Sequence, residues 1–315
     1  MNLISIVTPC YNEEQNVDAI YQQVKDVFAG LKNYRYEHIF IDNASTDQTV
    51  HRLKLLAKDD NHLKIIVNTR NFGHIRSPFH AILQASGDAV IPIVADLQEP
   101  PSMIRDFLQK WEQGFKVVVG IKPATQEKFP MATIRRVYYR LIARIAEIKV
   151  IKNFTGFGLY DRSVINALRQ MDDPYPYFRG MISEIGFPVA EIPFEQPIRQ
   201  KGVTKNNFYT HYDLALLGIT SHSKLPIRLA TLAGFSLSIL SFMLAIVFLL
   251  LKLFLWYSFP MGIAPILIGM FFFASVQLFF IGILGEYVLS IHTQVLKRPL
   301  VTESERINFD SGSAA

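Results

Sequence analysis

Two stretches without a charged residue, Leu229 to Leu251 and Leu253 to Gly285, constrain this chain more than any other feature. Each exceeds the roughly 20 residues that an α-helix needs to cross about 30 Å of hydrocarbon, where backbone polar groups must be satisfied within the segment. The sequence therefore predicts two membrane-crossing helices, which return both termini to one side. The break between them, Trp256-Tyr257-Ser258-Phe259-Pro260-Met261-Gly262, pairs interfacial aromatics with turn-forming residues and is too short for an outer domain. Lys224 and Arg228 precede the first span and Lys297 and Arg298 follow the second, whereas the break has no Lys or Arg. The positive-inside bias then puts both ends in the cytoplasm. Lys252 lies near the outer end of the first span and is expected to snorkel to the headgroups. The alternative, two buried helices of a soluble core, is disfavoured by these lengths.

The same division runs through the composition. Residues 1–225 suffice for one α/β domain, 226–290 hold the two spans, and 291–315 form a C-terminal tail on the cytoplasmic side. The N-terminus opens on a strand-like run without a basic n-region or cleavage site, so no secretory signal is expected. The single cysteine, Cys10, excludes an internal disulfide framework and fits a reducing compartment. The formal net charge of +5 comes without a recognisable nucleic-acid motif. Anionic lipid headgroups or an anionic substrate explain it better, and no nucleic-acid partner is expected.

Within the first domain the hydrophobic period alternates. Leu3-Ile4-Ser5-Ile6-Val7 reads as a buried strand, and Val17, Ile20, Val24, Val27 and Leu31 then recur at helical spacing. His38 to Ile41, Leu63 to Val67, Ala89 to Val94 and Lys116 to Val119 are further strand candidates. A mostly parallel sheet covered by helices follows, and ligands in such sheets sit at the carboxyl ends of the strands. Three of those ends are polar: Thr8-Pro9-Cys10-Tyr11-Asn12-Glu13-Glu14, Asp42-Asn43-Ala44-Ser45-Thr46-Asp47, and Ala95-Asp96-Leu97-Gln98-Glu99-Pro100-Pro101. Neither G-x-G-x-x-G nor G-x-x-x-x-G-K-[ST] occurs, so neither a dinucleotide fold nor a P-loop is signalled.

Those segments, with Arg70-Asn71-Phe72-Gly73 and Arg199-x-x-Gly202-x-Thr204-Lys205, resemble in order and spacing the family 2 glycosyltransferases of GT-A fold. Within that family the chain is most similar to the polyprenyl-phosphate glycosyltransferases, which include dolichol-phosphate mannose synthase and bactoprenol glucosyltransferase. The two spans and the ending from Gly285-Glu286-Tyr287 through Lys297-Arg298-Pro299-Leu300 resemble the bactoprenol branch, so the likeness covers nearly the whole chain. It implies a GT-A, Rossmann-like, mostly parallel sheet followed by two transmembrane helices. It also implies a nucleotide-sugar donor held by Pro9, Tyr11, Asn12, Glu13, Asp42 and Asp96, with Asp42 accepting from the imide N–H of a base such as uracil. Tyr11 offers an aromatic face and Glu13 a hydrogen-bond-accepting carboxylate at a strand end. An ordinary β-α loop with an acid at the helix start is the plainer alternative there.

Asp96 and Gln98, two oxygen ligands at i and i+2, suit a hard cation such as Mg²⁺ or Mn²⁺ shared with the donor diphosphate. Asp96 as a mere cap before Pro100-Pro101 is the alternative. Four positions depart from the family pattern: Val94 stands where an Asp is usual, Asn43 where relatives commonly have another Asp, and Gly156 and Gly158 where G-D-F-R-L would give an acid and an Arg. The losses at Gly156 and Gly158 matter less for an acceptor that is already anionic, because a phosphate monoester needs no strong general base. Arg199, Lys201 and Lys205 form a basic loop suited to clamp that phosphate, and Lys122 matches a phosphate-binding Arg of relatives, with a solvated loop lysine as the alternative. Asp96, Arg199 and Lys205 are the expected catalytic residues. Glu184 is a residual base candidate better read as structural. Thr133 to Lys149 sets Ile134, Val137, Leu141, Ile145 and Ile148 on one helical stripe and Arg136, Arg140 and Arg144 on another, which suits either an interfacial helix or one packed on the sheet.

The sequence thus predicts an inverting hexosyltransferase at the cytoplasmic face of a bacterial inner membrane, using a nucleotide-sugar, with a UDP-sugar expected, and a polyprenyl phosphate such as undecaprenyl phosphate. Membrane lipids are further partners, and the resemblance implies a homo-oligomer. Two alternatives stay open: transfer to another lipid such as a diacylglycerol, and a catalytically weakened accessory subunit that binds nucleotide-sugar.

Overall fold

The computed structural model describes residues 1–122, 151, 153–197, 225–254 and 263–309. The Thr133–Lys149 helix, the Arg199–Lys205 loop, the Trp256–Gly262 turn and the Lys252 side chain expected from sequence lie outside the described residues. Five strands open the fold: β1 Asn2–Cys10, β2 Tyr34–Asp42, β3 Leu63–Asn68, β4 Ala89–Pro92 and β5 Val117–Ile121. They coincide with the five apolar runs, because a strand buried on both faces reads as continuous hydrophobicity. The helices between them are α1 Val17–Ala29, α2 Thr49–Asp59, α3 Gly73–Gln84 and α4 Ile104–Glu112. On α1 the buried stripe is Val17, Ile20, Tyr21, Val24 and Phe28, with Val27 and Leu31 packed only at its margin.

Three more strands and two short helices complete the domain: β6 Phe154–Asp161, α5 Arg162–Met171, α6 Phe178–Ile185, β7 Val189–Pro193 and β8 Glu303–Ile307. The sheet order is β7-β5-β6-β4-β1-β2-β3-β8. Its pairings β1–β2, β1–β4, β2–β3 and β5–β7 are parallel; β4–β6, β5–β6 and β3–β8 are antiparallel. The chain steps outward from β1 to β3 and then returns to place β4 on the other side of β1. That reversal opens a crevice at the carboxyl ends of β1 and β4, the usual ligand position in doubly wound sheets.

Side chains alternate between two cores. Ile4, Ile6, Phe40, Ile65 and Ile91 face α1, α2 and α4; Val7, Ile39, Ile41, Ile66 and Val90 face α3, α5 and α6. The turn into α5 is fixed by Asp161, whose carboxylate accepts from Ser163 N–H at 3.0 Å, Trp111 Nε1 at 2.8 Å and Lys116 Nζ at 3.0 Å. The Asp161-Arg162 pair of the family-like motif is therefore architectural, Arg162 donating to the Gly87 carbonyl.

Beyond the sheet run α7 Leu225–Phe254 and α8 Ile263–Val295, of 30 and 33 residues, each about 45 to 50 Å long. Both are long and apolar enough to cross a membrane, and side chains such as Phe235, Phe242, Phe271 and Phe279 are about two-thirds exposed. So much apolar surface calls for a lipid or protein covering. Segment 291–315, expected as a tail, supplies β8. Asn308 Nδ2 donates to the carbonyls of Ala57 and Leu63, each at 2.9 Å, and Glu303 receives His80 Nε2 at 2.5 Å and the Arg306 guanidinium.

Candidate active site

The strand register brings two of the sequence-predicted ends together directly, since Cys10 at the end of β1 lies opposite Asp42 at the end of β2. Asp42 is fully buried and accepts from Ser45 N–H at 2.8 Å and from the Ser45 hydroxyl. Burial pushes its pKa up, the Ser45 bonds oppose that, and Asp47 nearby adds to it. The Ser45 hydroxyl also receives the Asn12 N–H at 2.8 Å, while Asn12 Oδ1 receives the Thr46 N–H at 2.8 Å. Asn12 thus stitches the β1–α1 loop to the β2–α2 loop, with its backbone at φ 56° in the left-handed region that an Asn tolerates better than most residues. Glu13 continues the seam: its N–H donates to Thr49 Oγ1 at 2.9 Å and its carboxylate receives Asn16 Nδ2 at 2.7 Å. Pro9 and Tyr11 are half-buried at the rim. Cys10 is no nucleophile, because burial and the Asp42 charge push its thiol pKa well up.

Asn43 has a use that sequence spacing could not show. Its amide donates to Asn71 Oδ1 at 2.9 Å and to the Gly73 carbonyl at 3.2 Å, and its oxygen receives Phe72 N–H at 2.8 Å and Asn68 Nδ2 at 3.1 Å. The Arg70-Asn71-Phe72-Gly73 turn is therefore built around an amide that both donates and accepts, which a carboxylate in the same place cannot do.

At the end of β4, Leu97 adopts φ 60°, uncommon for a bulky residue, and Asp96 Oδ1 accepts the Gln98 N–H at 3.1 Å. Asp96 and Gln98 remain half-buried at the crevice. Next to them opens a cavity of about 340 Å³, and both Val94 and Gly156, where the family resemblance implies acids, are on its wall. Among the described residues Glu99 is the carboxyl group in that wall. Its place in the sequence motif implies no role; its burial, 6% exposed, marks it out. Its oxygens accept from Val94 N–H at 3.1 Å and Thr155 Oγ1 at 3.2 Å. Burial first, and then the Asp96 charge, push its pKa up to about 7, against the pull of those two bonds and of Lys122. Near neutral pH it can therefore donate as well as accept a hydrogen bond. Gly156 sits at φ +108°, where a side chain is strained. At Gly158 a Cβ would meet the Val118 carbonyl oxygen at 2.3 Å, so an Arg there would require β5 to move. Lys122 is half-buried at the end of β5, its N–H on the Asn153 carbonyl at 3.3 Å.

Among the described residues no three carboxylate, imidazole or thiol groups converge as a metal site. The donor set Asp96 plus Gln98 still fits a hard cation, because Mg²⁺ is commonly held by one or two carboxylates with substrate phosphates and water completing the shell.

The profile of Glycosyl transferase family 2 matches residues 5–169, the span that carries this crevice. The chain belongs to glycosyl transferase family 2. An uncharacterised glycosyltransferase of Synechocystis is 33% identical over 303 residues, covering 96% of this chain and 95% of the relative. A bactoprenol glucosyl transferase of Shigella phage SfII is 31% identical over 309 residues, covering 97% and 99%. Among solved structures, glucosyl-3-phosphoglycerate synthase from Mycobacterium tuberculosis, with Mn²⁺, UDP and phosphoglyceric acid, aligns at TM-score 0.45 and 15% identity, covering 70% of this chain and 76% of the other. This family 2 transferase is accordingly an enzyme, and its polar motifs stand at the carboxyl ends of β1, β2 and β4.

Proposed function

We propose that this transferase moves a hexose from a nucleotide-sugar, with UDP as the expected nucleotide, to a polyprenyl phosphate at the cytoplasmic face of a bacterial membrane. The observation that carries the acceptor assignment is the cavity beside Asp96: among the described residues Glu99 is the one carboxyl group in its wall, and its oxygens are engaged by Val94 N–H and Thr155 Oγ1. A hydroxyl acceptor needs a base in the transition state, whereas a phosphate monoester arrives ionised. The bactoprenol glucosyl transferases among the relatives and the two long apolar helices support the same acceptor and its site at a membrane.

In this reaction an acceptor phosphate oxygen bonds to the sugar C1 as the bond from C1 to the diphosphate breaks, the electron pair leaving with the nucleotide and the configuration inverting. Asp42 at the floor of the β1–β2 seam would accept from the base edge, and Pro9, Tyr11, Asn12 and Glu13 would form the wall of the nucleotide site. Asp96 and Gln98 would hold a divalent cation, Mg²⁺ or Mn²⁺, which supplies Lewis-acid neutralisation of the leaving diphosphate. Lys122, Arg199, Lys201 and Lys205 would orient the acceptor phosphate for in-line attack, a contribution of positioning and charge in place of proton transfer.

The test is transfer of radiolabelled sugar to undecaprenyl phosphate by the full chain, with Mg²⁺ or Mn²⁺, across a panel of nucleotide-sugars. Turnover with the lipid phosphate and none with diacylglycerol is expected. Val94 and Gly156 favour a second reading, a nucleotide-sugar-binding accessory subunit, and intact nucleotide binding without turnover across the panel would select it.

A further inference from the structure

Four basic side chains gather where α8 meets the catalytic domain. Lys297 and Arg298 follow the end of α8 at Val295, and both are exposed. Arg76, on the first turns of α3, donates to the carbonyl of Pro299, the residue after Arg298. Arg70 and Arg76 lie on the same ring, their guanidinium carbons 4.0 Å and 5.4 Å from the Phe72 centroid. None of the four forms an ion pair with an Asp or Glu among the described residues. Arg76 Nε is shielded from solvent without a hydrogen-bond partner, an arrangement that is costly for a charged donor. Burial, then the charges of Arg70 and Arg298, hold the Arg76 pKa below its ordinary value. Such a group of like charges is at its most stable with an anion between them.

We infer that Arg76 and Arg298, with Arg70 and Lys297 beside them, bind the phosphate of an anionic phospholipid headgroup at the foot of α8. The inference rests on the reading that α7 and α8 cross the membrane, since only then do residues 297 and 298 stand at headgroup depth. Guanidinium groups match phosphate oxygens in pairs, and basic residues next to a membrane helix attract anionic lipid. The lipid would hold α3 at a fixed height, and with it the Asn71–Gly73 turn that Asn43 organises.

The experiment uses the full chain in detergent, equilibrated with either phosphatidylglycerol or phosphatidylcholine and examined by native mass spectrometry for retained lipid. The wild type is expected to retain phosphatidylglycerol selectively. Arg298→Gln should retain about fivefold less, the factor that corresponds to about 1 kcal/mol per basic side chain near a membrane surface. Among the described residues Arg298 makes no side-chain hydrogen bond, so this variant should fold normally, and Arg298→Lys should restore much of the retention. Equal retention of the two lipids, or an Arg298→Gln variant indistinguishable from wild type, would overturn the site. Displacement by soluble glycerol phosphate at equal concentration would also overturn it, showing a free-phosphate site instead of a lipid one. Lipid retention is read without sugar transfer, so selective binding by an inactive protein would count against the proposed function alone.

Discussion

At the scale of single residues, the decisive positions are the ones whose neighbours give them a task that their spacing hides. Asp96 is the acid proposed to hold the cation at the β4 end, and Asp96→Ala should lower metal-dependent turnover by about 100-fold or more while leaving the fold intact. Wild-type rates in the same transfer assay would move the cation elsewhere. Asn43→Asp restores the acid common in relatives, yet here it would set a carboxylate against Asn71 Oδ1 and the Gly73 carbonyl. A loss of roughly 2 to 3 kcal/mol is expected, read as a lower melting temperature together with weaker nucleotide binding. An unchanged melting temperature would show that the turn can rebuild around an acid. The motif residues Asp42 and Asp96 were legible because strand-end acids are conspicuous after an apolar run. Glu99 was not, since a carboxyl group next to two prolines becomes significant only when its burial and its partners Val94 and Thr155 are seen.

At the scale of elements, β1 to β5 were legible as apolar runs and β6 to β8 were not. β6 carries two glycines, one of them forced by the Val118 carbonyl, and these break the hydrophobic pattern. β8 reads Glu-Ser-Glu-Arg-Ile, the charged composition of an edge strand that has one neighbour. Deleting residues 303–315 would uncover β3 as an exposed edge of Ile65, Ile66 and Val67. A fall of several degrees in melting temperature and increased light scattering on warming are expected, from a loss of roughly 3 kcal/mol. Unaltered melting and scattering would make β8 an ornament of the sheet. Inside β2, His38 is buried with its Nε2 on the Thr8 hydroxyl at 2.9 Å, and burial pushes its pKa down from 6.5 to about 3. As pH falls below 6.5 the unfolded chain takes up this proton and the folded chain does not, so stability declines between pH 6.5 and about 3. About 2 kcal/mol should be lost by pH 5. Denaturant unfolding of the wild type and His38→Gln at pH 7.5 and 5 checks this: the variant should lack that part of the slope, and parallel slopes would assign it to other groups.

At the scale of the whole molecule, a soluble-looking sheet and a pair of long apolar helices are one chain with, on the proposed reading, two solvents. The two long helices were legible because charge-free runs of such length leave few other structures open. Arg199→Ala, in the basic loop proposed to clamp the acceptor, should raise the KM for lipid phosphate about tenfold or more with the donor KM little changed, consistent with loss of one charge-assisted contact. Equal effects on both substrates would relocate the clamp. The return of the chain from α8 onto β3 adds something that neither solvent dictates: an order of events in time. Ile65 pairs with Ile307, so the sheet waits for more than two hundred further residues, both apolar helices among them, before its last strand exists. At a synthesis rate of about 5 to 20 residues per second that is a delay of roughly 10 to 50 s. During it β3 lacks a neighbour on its outer side, and the catalytic domain reaches its finished form only after both long apolar helices have left the ribosome.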